Sequence, residues 1–407
     1  MSESTPAAEL QDARARARAM ADDLVGAREL GPLLPIVNPP RWEIGHVGWF
    51  QEYWCLRRTA PGLHSLERHV SILPNADALY NSDTVPHDSR WSLPLPDFAA
   101  ALRYRNEVLA RVLAQDPREG EDAYFARLAA RHEDMHAEAF HYTRQTLGYE
   151  APAIADRPHR PGERAEGDVA VPGGVFELGA AADAGFVFDN EKWAHPVVLA
   201  PFRIARAAVT NAEYLAFVEA GGAPPGHWRE AGGGGWQQRR FDLWRPLAED
   251  EPVIHVSWDA AQAFCRYAGR RLPTEAEWEF AATWDPVSGR KRVFPWGDEP
   301  WRGSKANLHN GTLASVHAYP EGDSALGVRQ MIGNVWEWTS SDFLPYPGFL
   351  RDPYKEYSEP WFGNHKVLRG GCFTTSPRIA RATYRNFYSR DRSDVFAGLR
   401  TCALERG

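Results

Sequence analysis

Two histidines four residues apart, His132 and His136 in RHEDMHAEAF (131–140), are the first place where residue type and spacing suggest chemistry. On a helix, side chains at i and i+4 stand on one face about 6 Å apart, close enough to share an ion. A metal needs at least a third ligand. PPRWEIGHVGWFQEYWCLRR offers one in His46, set among Trp42, Trp49, Phe50 and Tyr53. The two prolines ahead of it suit a helix start, which puts His46 in the second turn. One histidine from this helix and an H-x-x-x-H pair from another make the three-point site that bundles build from facing helices. Imidazole suits iron, zinc, copper and nickel, so residue type leaves the metal open. An H-x-x-x-H pair alone is more often ordinary surface or core, and His64, His69, His87 and His141 are read that way. Glu133 and Asp134 read as support or solvated surface, not as ligands.

The elements that must hold these residues follow from periodicity. Four amphipathic helices are predicted: Ala7 to Val25, Trp42 to Arg58, Pro96 to Leu113 and Asp122 to Leu147. Four helices of this length suggest an antiparallel bundle over 1–150. A Pro-, Arg- and Glu-rich stretch, EAPAIADRPHRPGERAEG, has no apolar period, and 151–168 is read as linker. From 169 to 407 Gly, Pro and Trp crowd together. Short helices are marked there by Thr210 with Glu213 and by Thr274 with Glu277. This reads as an α+β domain held by aromatic packing, in which Trp258, Phe264 and Trp278 are core.

Bulk composition excludes several classes. A net charge of −8 on 407 residues gives no basic field for nucleic acid. No apolar run approaches the roughly 20 residues needed to span a bilayer, and the N-terminus lacks an apolar signal core, so the expectation is a cytoplasmic chain that binds no membrane. Cys55, Cys265, Cys372 and Cys402 form no C-x-x-C pair, which leaves nitrogen and oxygen to hold any metal.

The order of motifs resembles the iron-dependent sulfoxide synthases of ergothioneine and ovothiol biosynthesis. These join a DinB-like helical bundle to a formylglycine-generating-enzyme-like (C-type-lectin-like) domain. The resemblance runs from about Arg14 to Cys402. It rests on WEIGHVGWF and HEDMH in the bundle, then on PGGVFELGA, FDNEKWAH, VTNAEY, RRLPTEAEWEFAA, GNVWEWTSS, LRGGCF and YRNFYSRDRSDVFAGLR. It implies Fe(2+) on His46, His132 and His136, with O2 and two small organic substrates. One is hercynine, the betaine of histidine, attacked at imidazole C2 by a chalcogen nucleophile. A trimethylammonium donates no hydrogen bond and is held by aromatic faces, each worth about 0.5–2 kcal/mol. The matching R-N-F-Y run implies Asn386 on a polar group of hercynine, with Phe387 and Tyr388 as cage walls. Arg90, in HDSRWSLPLP, stands near a substrate-binding arginine of the family.

Departures from the family point to the donor. Ergothioneine-type members usually carry a proton-donating tyrosine where this chain has Phe343, and Tyr346 is the nearest replacement. Met135 stands where the family often has glutamine. Tyr388 replaces an acid that holds the amino group of γ-glutamylcysteine in one branch. The bundle motif resembles more closely the selenoneine synthase branch, which couples hercynine to a selenosugar and yields a selenoxide that leads to selenoneine. The alternative is an ergothioneine-type synthase using a thiol donor. A remoter one is a DinB-type metal-dependent thiol transferase with a binding module. A true formylglycine-generating oxidase would need a copper-binding cysteine pair, whose places Thr375 and Ala380 occupy.

Overall fold

A computed structural model describes residues 4–59, 68–154 and 162–404, and it divides into two units, Met1–Ala153 and Ile154–Gly407. The first is helical: α1 (Pro6–Ala21), α2 (Pro40–Cys55), α3 (Ala76–Tyr80), α4 (Phe98–Ala114) and α5 (Gly120–Leu147). The ends follow local chemistry. Thr5 accepts from the Ala8 N–H and Asp97 from the Ala100 N–H, satisfying N-terminal amides, while Gly148 takes the left-handed turn after α5. Leu10, Ala13, Ala17 and Met20 recur at helical spacing and are buried, and α1 packs along α5 while α2 packs on α4 and α5.

Glu133 is not solvated surface. Arg14 of α1 donates to Glu133 of α5 at 2.5 Å, to Gln51 of α2 at 3.0 Å and to the Arg105 carbonyl of α4 at 2.7 Å. One buried guanidinium therefore ties four helices together and faces Glu133 toward α1, since i+1 on a helix points away from His132. Asp134 is likewise buried, with Arg16 at 3.6 Å. Of the other histidines, His69 is exposed, His87 rests on the Val37 carbonyl at 2.8 Å and His141 is buried. His64 lies outside the described residues. Among those residues no helix is long and apolar enough to cross a membrane.

The second unit carries α6 (Asn211–Glu219), α7 (Trp258–Ala268) and α8 (Glu275–Thr283) among short strands. Both expected capping boxes form, Thr210 with Glu213 and Thr274 with Glu277. One four-stranded sheet runs Asn386–Tyr388, Lys366–Arg369, Trp336–Asp342, Ala397–Leu399, antiparallel except for the last pair. The stretch read as linker is partly body. Ala165 is buried with its N–H on His317 at 3.1 Å, and a strand starts at Asp168; 155–161 lie outside the described residues. Trp278 and Phe264 are core, whereas Trp258 is only half-buried beneath the Lys366 ammonium.

Buried His255 meets His227 edge-on at 4.4 Å. Burial, aided by His227 and nearby arginines, holds His255 well below the ordinary histidine range, and burial with Arg239 holds His227 at about 4. The folded state therefore binds fewer protons than the unfolded chain. The stability this pair contributes is complete above about pH 6.5 and is lost as pH falls through the folded values. Urea midpoints at pH 7.5 and pH 5 will show a fall that His255→Phe reduces. Equal falls in both proteins would exclude the pair as the cause.

Candidate metal centre

α2 presents His46, and α5 presents His132 and His136, with the three ligand atoms all within 4.8 Å of one another. The Nε2 of His132 lies 3.3 Å from that of His46 and 3.2 Å from that of His136. Nitrogens about 2.0–2.1 Å from one ion and 90–110° apart are separated by about 3–3.4 Å, so these two spacings suit a shared metal.

The Nδ1 atoms fix which way the lone pairs point. His46 Nδ1 lies 2.8 Å from the Tyr80 carbonyl, which only accepts, so this nitrogen carries the proton. His136 Nδ1 donates in the same way to Glu43 at 2.6 Å. Both Nε2 lone pairs then face the Nε2 of His132, so three ring nitrogens converge on one point, where an ion could be shared. Burial first, and the neighbouring His136 second, hold His46 and His132 well below the ordinary histidine range. They are neutral at pH 7 and ready to ligate without losing a proton.

Aromatic packing sets the ring planes. Phe50 stacks on His132 at 3.6 Å and Trp42 on His46 at 4.8 Å. Trp42 is itself anchored by its indole N–H on the Leu79 carbonyl at 2.7 Å, and Trp49 by Asp77 at 2.6 Å. The five-residue α3 therefore braces α2 at three points, Asp77, Leu79 and Tyr80. Gly45 makes this approach possible, because a Cβ there would lie 2.2 Å from the Tyr80 ring.

Arg90 belongs to the same neighbourhood. Its guanidinium lies 3.9 Å over Trp42, donates to Asn38 at 2.6 Å and, lowered by burial to about 10, stays charged at pH 7. Met135 is half-buried, as is His136, the least enclosed of the three ligands.

The remaining expected site residues lie in the second unit, where alternation along the edge strand Asn386–Tyr388 separates them. Phe387 pairs with Val367, is buried, and stacks on Phe343 at 4.0 Å. Asn386 and Tyr388 face the other side of the strand. There Asn386 accepts from the Phe387 N–H at 2.9 Å, and Tyr388 lies beside the Arg392 guanidinium. Phe387 and Tyr388 therefore do not form one wall. Tyr346 is buried with its hydroxyl 3.4 Å from Glu275, and burial raises its pKa, so the hydroxyl stays protonated.

Sequence reasoning passed over Arg385, which organises this group. It is fully buried, forks onto Glu275 at 2.9 and 3.0 Å, and lies 4.1 Å from the Tyr346 ring and 4.9 Å from that of Phe343. Its only sequence signal is its place just before N-F-Y. Glu43 was also passed over, although it sits three residues before His46 on the same helix face.

Comparison with known proteins agrees with this architecture. Residues 154–404 match the sulfatase-modifying factor enzyme 1-like domain. The chain is 38% identical to the hercynine oxygenase of Mycolicibacterium thermoresistibile over 97% of its own length and 93% of that protein. It is 38% identical to the hercynine oxygenase of Mycobacterium tuberculosis over 95% and 96%. A formylglycine-generating enzyme of Streptomyces coelicolor is 34% identical, over 54% of this chain and 82% of that one. That match covers only about half of this chain, whereas the hercynine oxygenases match the histidine-bearing helices too. The chain is thus an enzyme of the hercynine oxygenase family, a helical unit followed by a sulfatase-modifying factor enzyme 1-like domain.

Proposed function

We propose that the chain is a non-heme iron oxygenase that couples hercynine, at imidazole C2, to a selenosugar. The observation that carries the reading is the convergence of three imidazoles, in a chain 38% identical to hercynine oxygenases over nearly its whole length. A ferrous ion on His46, His132 and His136 would supply the one-electron chemistry that lets O2 react. The balance is simple. Hercynine loses its C2–H and the donor its Se–H, C–Se and Se=O bonds form, and O2 takes four electrons to give the selenoxide oxygen and one water.

The chain's own residues bind and orient. Arg90 remains a cation able to hold a carboxylate. Phe387, backed by Phe343, is the aromatic face assigned to the trimethylammonium, with Asn386, Tyr388 and Met135 assigned to substrate contacts. Tyr346 fits a positioning role better than proton donation, since its hydroxyl faces Glu275. Two features support a selenosugar donor: Phe343 has no hydroxyl to give, and Tyr388 has no carboxylate to pair with an amino group.

The test is kcat/KM for 1-selenoglucose, 1-thioglucose, cysteine and γ-glutamylcysteine with hercynine saturating. The selenosugar is expected to exceed γ-glutamylcysteine by about 100-fold or more, the scale of a mismatched buried polar contact. If γ-glutamylcysteine is the best donor, the chain is a thiol-using sulfoxide synthase and only the selenium assignment fails.

A further inference from the structure

We propose that Glu43 is the positioning residue of the metal centre, fixing His136 with Nε2 turned inward and supplying the buried negative charge that a divalent ion neutralises. The inference rests on reading the three histidines as a metal site. Glu43 stands in the first turn of α2, is 1% exposed, and takes the His136 Nδ1 proton at 2.6 Å.

Its surroundings distinguish it from the buried glutamates around it and in the second unit. Glu133 is paired with Arg14, Glu275 with Arg385, Glu337 with Arg400, and Glu279 with both Arg369 and Lys291. Glu52 is satisfied by three neutral donors, Ser71, Tyr104 and the Ile72 amide. Among the described residues Glu43 has one group within ion-pair distance, the imidazole of His136; the Arg90 cation acts on it only from beyond that distance. A buried carboxylate with no cation in contact is costly. A divalent ion on Nε2 of that imidazole adds positive charge through the ring, and the carboxylate in turn makes the ring a stronger donor. His46 is held by a neutral carbonyl instead, so the two supported ligands differ in strength.

The test binds Co(II) alone to the wild-type chain, to Glu43→Gln, Glu43→Ala and, as reference, His132→Ala. Affinity is read by chelator competition, coordination by visible absorption and metal-free stability by thermal melting. Glu43→Gln keeps an acceptor for Nδ1 but loses the charge. It should retain the wild-type spectral shape, bind at least about 10-fold more weakly, and melt no lower without metal, because a buried charge is gone. Glu43→Ala should lose up to about 100-fold and change the spectrum, since His136 is no longer oriented. If that variant does not fold, the isosteric glutamine decides. Wild-type affinity in Glu43→Gln, with His132→Ala not binding, would overturn the proposal while leaving the metal site intact. If the wild-type chain binds no Co(II), the metal reading fails and this proposal with it.

Discussion

His132→Ala will remove bound iron and turnover together while the helices remain folded. His132 is the middle ligand, with its Nε2 within 3.3 Å of both others. Its removal leaves two nitrogens on different helices, one hung on a carbonyl and one on a carboxylate, with no third point to close the site. Residues that merely support a ligand are worth about 10–100-fold in affinity, so losing the ligand itself should exceed about 100-fold. The cost to the fold is smaller, about 1–3 kcal/mol for a truncated buried ring. Iron content after anaerobic reconstitution, with circular dichroism as the folding control, decides. Unchanged iron would remove His132 from the centre.

The second large effect is on stability. Arg385→Ala should destabilise the second unit by about 3–5 kcal/mol, because it strands a buried carboxylate. The guanidinium also donates to the carbonyls of Asn190 at 2.8 Å and Leu344 at 3.0 Å, so one side chain joins the 190 region, the 344–346 segment and the start of the Asn386 strand. Lysine should not rescue it, since an ammonium cannot reproduce the fork onto Glu275. Urea unfolding measures this. A change under about 1 kcal/mol would mean that Glu275 is adequately held by Arg369 at 3.5 Å and Tyr346 alone.

The helical unit was legible because its information is local. Helical spacing marks α1, α2, α4 and α5, and the i, i+4 geometry of His132 and His136 needs no tertiary knowledge. α3 was invisible because five residues are too short to show a period, yet it supplies the carbonyl that orients His46. Glu43 was invisible for a different reason: its partner lies 93 residues away, and nothing local says which helix face meets which. The acid pair is similar: sequence left Glu133 open between support and solvated surface, and only Arg14, from α1, decides against the surface. In the second unit, strands mostly of two to five residues carry little alternation, and resemblance supplied what pattern could not. The motif alone also does not show that side-chain alternation along Asn386–Tyr388 puts Phe387 on one side of the strand and Asn386 and Tyr388 on the other.

The central claim is that three imidazoles hold iron for O2-dependent attack on hercynine. The most direct measurement is O2 uptake by the anaerobically iron-loaded chain on adding hercynine and 1-selenoglucose, with the imidazole C2 proton followed by NMR. One O2 should be consumed per C2 proton lost, with both processes absent in His132→Ala. Iron bound with hercynine unaltered across the whole donor panel, or C2 coupling that proceeds without O2, would contradict this assignment.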